Sequence, residues 1–271
     1  MDVMELLTST LIQGLIYALI SLGVYITYSI LDFPDLGVDG TFPLGAAVTA
    51  VLLTKGVSPW LTLPIAMGVG ALAGLFTGFI HVRLKVRDLL AGIITMTALF
   101  SLNLQIAGSN LTIERSTDTI FSSRAVLALC GDMTLTGRKI LVSLVLVLAV
   151  KLGMDAYLRT KSGLLLRAVG DNASLVTTLA MDRGRMKILG LAISNALVAL
   201  AGCIVCHESR SFSATMGTGQ LVYGLAAVII GISLAHAYSG GMEHLTSCRK
   251  GILRILTHPA GTTAVIVGSI L

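Results

Sequence analysis

The chain alternates long apolar runs with short polar connections. The runs lie at about 6–30, 41–54, 58–81, 89–107, 139–158, 188–206, 221–237 and 259–271, and they are continuous rather than alternating, which reads as helix and not strand. Runs near ~20 residues are long enough to cross a ~30 Å hydrocarbon layer as helices. In lipid every backbone group must bond internally, so a spanning chain forms helices or a closed barrel. The expected fold is therefore all-α and polytopic, with about eight transmembrane helices in a single membrane domain over 1–271. The second run is short for a full crossing. The last stops at Leu271 while still apolar, so the domain is expected to be truncated there, the chain continuing beyond it.

The sharpest interruption is ILDFPDLGVDGTFPLGAA, residues 30–47. Pro34 and Pro43 each lack a backbone donor and obstruct a helix. Asp32, Asp35 and Asp39 are expensive in lipid. A broken or re-entrant segment at membrane depth is tolerated only where it lines a cavity or is buried in protein. Two readings stand side by side. In one, the segment lines a substrate path, as discontinuous helices do in transporters. In the other it is a cytoplasmic loop whose aspartates cap helices, Asp39 serving the apolar run that follows it. A bulky residue at Asp35 is expected on the first reading to impair transport more than expression.

Composition agrees with a membrane setting. The 271 residues are 55% hydrophobic and 12% charged, with a mean hydropathy of +0.89, whereas a soluble domain is about one-quarter charged. The net charge of +5 is carried by short loops. Arg83, Lys85 and Arg87 form one cluster, Arg159 to Lys187 a second, and Arg249, Lys250 and Arg254 a third. All three fall on one side if the helices alternate, and positive loops mark the cytoplasmic side. The N-terminus and the Ser/Thr-rich loop from Gly108 to Arg138, of bland surface composition, then lie outside. The start MDVME supplies neither the positive region nor the cleavage site of a signal peptide. No basic patch interleaved with aromatics points to nucleic acid.

A second polar stretch, RTKSGLLLRAVGDNASLVTTLAMDRGRMKI at 159–188, is too polar to span. Leu164, Leu165, Leu166, Ala168 and Val169 give it an apolar side. Such a segment suits the lipid interface or a groove on a partner protein.

Together GLIYALISLGVYITYSILDFPDLGVDGTFPLGAAV, LLAGIITMTALFSLNLQIAG, SGLLLRAVGDNASL and KILGLAISNALVALAG resemble one family. It is the inner-membrane permease family of bacterial ABC importers, of the branched-chain amino acid and ribose type. The branch most alike is that paired with tryptophan- or tyrosine-type binding proteins. The resemblance implies a multi-pass protein of the bacterial inner membrane with no enzyme activity and no cofactor or metal of its own. It implies partners: ABC ATPase subunits, an extracytoplasmic solute-binding protein and a second permease subunit in a homodimer. It places Arg167, Gly170, Asp171 and Asn172 in the cytoplasmic element that couples to the ATPase. The absence of GxxxxGK[ST] from the sequence agrees with ATP hydrolysis by another subunit. The solute implied is small and polar, an amino acid. The substrate path is expected near Asp32, Asp35, Asp39, Gly40, Asn103 and Asn195. A competing class is an ion-gradient-driven secondary transporter or channel, with the same acids loaded by protons or sodium.

Other positions have simpler uses. Gly70, Gly74 and Gly78 form a small-residue face that permits close helix contact, inside the bundle or at a dimer seam. Ser194, Gln13 and Gln105 are expected to bond neighbouring helices. Lys151, inside an apolar run, either snorkels to the headgroups or pairs with an acid of the 32–39 stretch. CIVCH, residues 203–207, matches the C-x-x-C-H signature of haem attachment, but its place at the end of an apolar helix favours small core residues or a chance disulfide pair.

Overall fold

The computed structural model describes residues 3–123, 126, 135–171, 182–243 and 258–270. Helix α1 covers Val3–Val24 and widens into a π turn at Tyr25–Ile30. Helix α2 is Val38–Thr54, α3 Pro59–Arg83 and α4 Asp88–Ala107. A short strand β1, Asn110–Thr112, and a 3₁₀ turn at Ile120–Ser122 precede α5, Leu135–Leu158. Then come α6, Lys161–Asp171, α7, Arg183–Ser209, β2, Ser211–Ser213, α8, Gln220–Glu243, and α9, His258–Ile270.

The ends follow local chemistry. Pro59 opens α3, where a missing N–H costs nothing. Asp182 caps α7 by accepting from the Gly184 amide at 2.9 Å. Arg210 closes α7 in the left-handed conformation, its N–H reaching the Cys206 carbonyl.

Five stretches are long and apolar enough to cross a membrane: Leu6–Ile30, α3, α4, α5 and α7. Val38–Thr54 and the apolar stretches Gln220–Ala235 of α8 and Gly261–Ile270 of α9 are shorter. The chain is thus a multi-pass helical protein, but eight full crossings are not reached by length among the described residues. The physical reason at α2 is the break before it: 17 residues rise only about 25 Å.

The spans divide by what surrounds them. Of the most apolar 18-residue window, 78% is buried in the Leu6–Ile30 stretch and 72% in α7, against 39%, 28% and 22% in α3, α4 and α5. So α1 and α7 form the interior. The outer helices turn residues such as Leu72, Phe79, Leu89, Phe100 and Leu152 outward, faces that suit lipid tails.

The α3–α7 contact rests on missing side chains. A Cβ at Gly70 would strike the Asn195 carbonyl oxygen, one at Gly74 the Leu191 carbonyl oxygen, and one at Gly78 would come within 2.9 Å of the Ile188 Cα. The expected small-residue face therefore packs inside the bundle.

Two further expectations meet different partners. Lys151 pairs with Asp155 one turn on, at 3.4 Å, rather than with an acid of the 32–39 stretch. Asp155 also accepts from Thr262 of α9 at 2.9 Å, so the lysine needs no long reach. The loop after α4 is more ordered than its composition implies. β1 pairs antiparallel with β2, Leu111 opposite Phe212, and Ile120 and Phe121 are buried. Arg210 Nη1 donates to the carbonyls of Glu114, Arg115 and Thr117 at 2.9 to 3.0 Å.

Candidate functional site

The break between α1 and α2 begins where the π turn ends. Its wider hydrogen-bond spacing is carried by Leu31 N to Ile26 O at 3.1 Å and Phe33 N to Thr27 O at 2.9 Å. Asp32 takes the left-handed conformation, φ 51°, which a short polar side chain tolerates. From there the chain runs without helix to Gly37.

This unwound backbone sits against four helices. Asp35 is 0% exposed. Its Oδ1 accepts from the Gly37 amide at 2.8 Å, and its Oδ2 accepts from Asn195 Nδ2 of α7 at 2.8 Å. Asn195 Nδ2 also donates to the Leu191 carbonyl at 3.0 Å. Asn195 Oδ1 accepts from the Thr41 hydroxyl at 2.7 Å, which also lies 3.0 Å from the Gly37 carbonyl. The amide of Asn195 thus spans from the buried carboxylate to the first turn of α2. Next to it, Ser194 Oγ donates to the Gly23 carbonyl of α1 at 2.7 Å.

Asp39 does something the sequence did not indicate. Its Oδ1 accepts from the Leu221 amide at 2.8 Å and its Oδ2 from the Gly219 amide at 3.1 Å. It caps α8, not the helix it begins, and places a negative charge where the helix dipole favours one. Pro43 lacks the N–H that would reach back to the Asp39 carbonyl, and Gly217 packs against that same oxygen, where a Cβ would clash. On the far side Asn103 Nδ2 of α4 donates to the Gly40 carbonyl at 3.2 Å. Gly40 itself is required by close approach to Met96 of α4, whose Cα lies 3.0 Å from where a Cβ would sit.

Five of the six expected path residues, Asp35, Asp39, Gly40, Asn103 and Asn195, therefore meet in one buried region. Asp32 stands apart as an exposed turn residue. Of the segment's acids, Asp39 caps a helix and Asp35 bonds an amide side chain, both within the protein. None of the six lines the two cavities found between α3 and α7 and at the α2–α3 turn. Gln13 and Gln105 are exposed.

The polar helix α6 packs against the break. A Cβ on Gly170 would strike the Ile30 carbonyl oxygen, and one on Gly190 of α7 would meet the side chains of Leu31 at 2.6 Å and Leu166 at 2.9 Å. Leu31 is thus held between α6 and α7. Arg167 lies within electrostatic reach of Tyr25 in the π turn. Asp171 ends α6, and Asn172 lies outside the described residues. The basic ends of α3 and α7 share this face: His81 Nδ1 donates to the Val86 carbonyl at 2.9 Å, and its other ring nitrogen lies 3.4 Å from Lys187 Nζ. Phe33 of the break stands edge-on to His81, ring centroids 5.1 Å apart.

The C-x-x-C-H match is a packed feature. Cys203 and Cys206 are 0% exposed free thiols, and His207 Nε2 is 2.9 Å from the Thr62 hydroxyl. A haem has no access there. Among the described residues no group of three or more His, Cys, Asp or Glu is placed to hold a metal ion.

Two cavities open elsewhere. A groove of about 530 Å³ lies between α3 and α7. A second, about 450 Å³, is formed by the α2–α3 turn and residues 116–118.

The family model for the permease component of branched-chain amino acid transport systems matches residues 6–262. The tyrosine transport system permease of Clostridioides difficile is 38% identical over 261 residues, 96% of this chain and 78% of that protein. A probable branched-chain amino acid transport permease of Methanocaldococcus jannaschii is 27% identical, over 91% of this chain and 76% of that protein. The ribose import permease of Haemophilus influenzae is 27% identical, over 81% and 66%. No solved structure matches.

Proposed function

This chain belongs to the permease-component family of branched-chain amino acid transport systems, and from that premise we propose that it is the membrane subunit of an ATP-driven importer for an amino acid, with aromatic side chains the first class to test. The observation that carries the solute class is the 38% identity to a tyrosine transport permease, against 27% to a ribose permease. The protein itself binds no nucleotide in this reading. ATPase subunits below the membrane hydrolyse ATP, a solute-binding protein delivers the amino acid above it, and a second permease subunit completes the path in the bacterial inner membrane.

Coupling runs through α6, with Arg167, Gly170, Asp171 and Asn172 in the element that docks on the ATPase. The seat of Gly170 under Ile30 supports this, because a push on α6 meets backbone at once. From Leu31 the strain passes along 31–37 to Asp35 and Asn195 in α7, and through Asp39 to the start of α8. The break is the joint, and Asp35, Asp39, Gly40, Asn103 and Asn195 stand at the path when that joint opens. Asp32 serves as the turn that lets the chain reverse.

The test is uptake of labelled tyrosine into vesicles holding the permease with its ATPase and binding protein. Uptake that needs ATP and both partners is expected. Uptake that persists without the ATPase and collapses with a protonophore would instead identify a secondary transporter.

A further inference from the structure

The groove between α3 and α7 has a shape and a charge distribution that the transport reading does not use. The glycine face of α3, at 70, 74 and 78, draws it against α7. One step around α3, Met67, Ala71 and Leu75 form the next stripe, facing Ala192 and Ala196 of α7 across the opening. The alanines are too short to fill the wedge that the close glycine contact leaves beside it. The wall is apolar along its length, and its one charged residue is Arg185, at the end where α7 begins.

That charge is available. Arg185 makes an ion pair with Asp182 at 3.4 Å, but the two side chains are 82% and 61% exposed, and pairs so exposed are worth little. Lys187 lies one turn-face away, beside His81 of α3, and Arg83, Lys85 and Arg87 follow in the adjoining loop. Measured along α7, Arg185 to Leu197 at the far end of the groove is about 18 Å, close to half of a ~30 Å hydrocarbon layer.

We propose that this groove seats one acyl chain of an anionic phospholipid from the cytoplasmic leaflet, with Arg185 holding the headgroup. The dimensions fit a single leaflet, and a basic mouth between transmembrane helices on that side attracts acidic headgroups. A small polar solute is a poor occupant, since the walls offer it no hydrogen bonds in exchange for water. A second copy is a poor one too. A two-fold axis along the membrane normal would set two concave walls face to face and bring both Arg185 charges to one depth.

The experiment is native mass spectrometry of the permease purified with its partners from a mixture of phosphatidylglycerol and phosphatidylethanolamine. Wild type is expected to keep phosphatidylglycerol selectively. Arg185→Gln, at an exposed position that leaves the helices packed, should lower the retained phosphatidylglycerol roughly fivefold, as removal of one basic contact to an anionic surface implies. Ala71→Phe, which fills the groove, should remove the bound lipid whatever its headgroup, with unchanged circular dichroism checking the fold. Equal retention in wild type and Arg185→Gln would overturn the proposal. So would full retention in Ala71→Phe, or a Leu75→Cys variant that cross-links in high yield to a second copy and so shows the groove covered by protein.

Discussion

Asp35 and Asn195 are joined by a 2.8 Å hydrogen bond across 160 residues of chain, and the carboxylate has no exposure to solvent. Among the described residues its other hydrogen-bond partner is the Gly37 amide. Removing the amide by Asn195→Leu strands a buried carboxylate on one hydrogen bond, and leaving such a group unsatisfied costs about 1–3 kcal/mol, more where it is charged. Asn195→Leu is therefore expected to lower the midpoint of thermal unfolding in detergent well beyond an ordinary interhelical bond, which averages ~0.6 kcal/mol. The same burial changes the expectation for a bulky residue at Asp35. With α7 and the first turn of α2 packed around it, Asp35→Phe should reduce folded protein and transport together. Membrane abundance measured beside uptake checks this; normal abundance with lost uptake would count for a path-lining role alone.

The α3–α7 seam predicts a contrast within one helix. Gly74 backs onto the Leu191 carbonyl, whereas a Cβ on Gly68 would meet nothing within 4 Å. Gly74→Leu should separate the helices and destabilise by several kcal/mol, as overpacking of a close contact does by about 1–3 kcal/mol or more. Gly68→Ala should be neutral or stabilising by about 0.4–1 kcal/mol. Unfolding midpoints of the two variants against wild type decide it. Equal effects would mean the seam is not set by the glycines.

The positions of the helices were legible because a membrane span writes itself as one continuous local run. The break was legible for the same reason: Pro34, Pro43, the glycines and three acids lie within one short stretch. What those acids bond to was not. Asp39 precedes an apolar run and reads as its cap, yet its partners lie 180 and 182 residues away. Asn195 and Lys151 likewise show their residue type in the sequence but not their neighbour. The loop after α4 looked bland because a three-residue strand has no periodicity to detect, and its partner follows α7. A signal was available only in Arg210, a lone cation at a helix end.

That arginine gives a further prediction. Its Nη1 gathers three carbonyls of the 114–117 turn, and among the described residues no other side chain donates to them. Arg210→Ala should free the turn while leaving the spans intact. Limited proteolysis of sealed, right-side-out vesicles should cut between 113 and 119 at least several-fold faster, with unchanged helical content. Because Arg210 also adopts φ 52°, Arg210→Gly keeps the backbone conformation at no steric cost and should give the same cleavage. If only Arg210→Ala were cut faster, backbone strain and not the lost donor would be the cause.

In the proposed coupling, the two faces of α6 would separate docking from transmission. Leu164 is 56% exposed on it, while Gly170 is turned inward against Ile30. An outward apolar side chain is the part a partner can bury, and an inward contact is the part that passes motion on. Leu164→Asp should therefore weaken copurification of the ATPase with little effect on the isolated permease. Gly170→Val should leave copurification intact but hold α6 away from the π turn, and overpacking strain of about 1–3 kcal/mol translates into a loss of coupled uptake of roughly tenfold or more. ATPase stimulation by the loaded binding protein should fall with it. If Gly170→Val lost copurification and Leu164→Asp did not, the two faces would have been assigned the wrong way round.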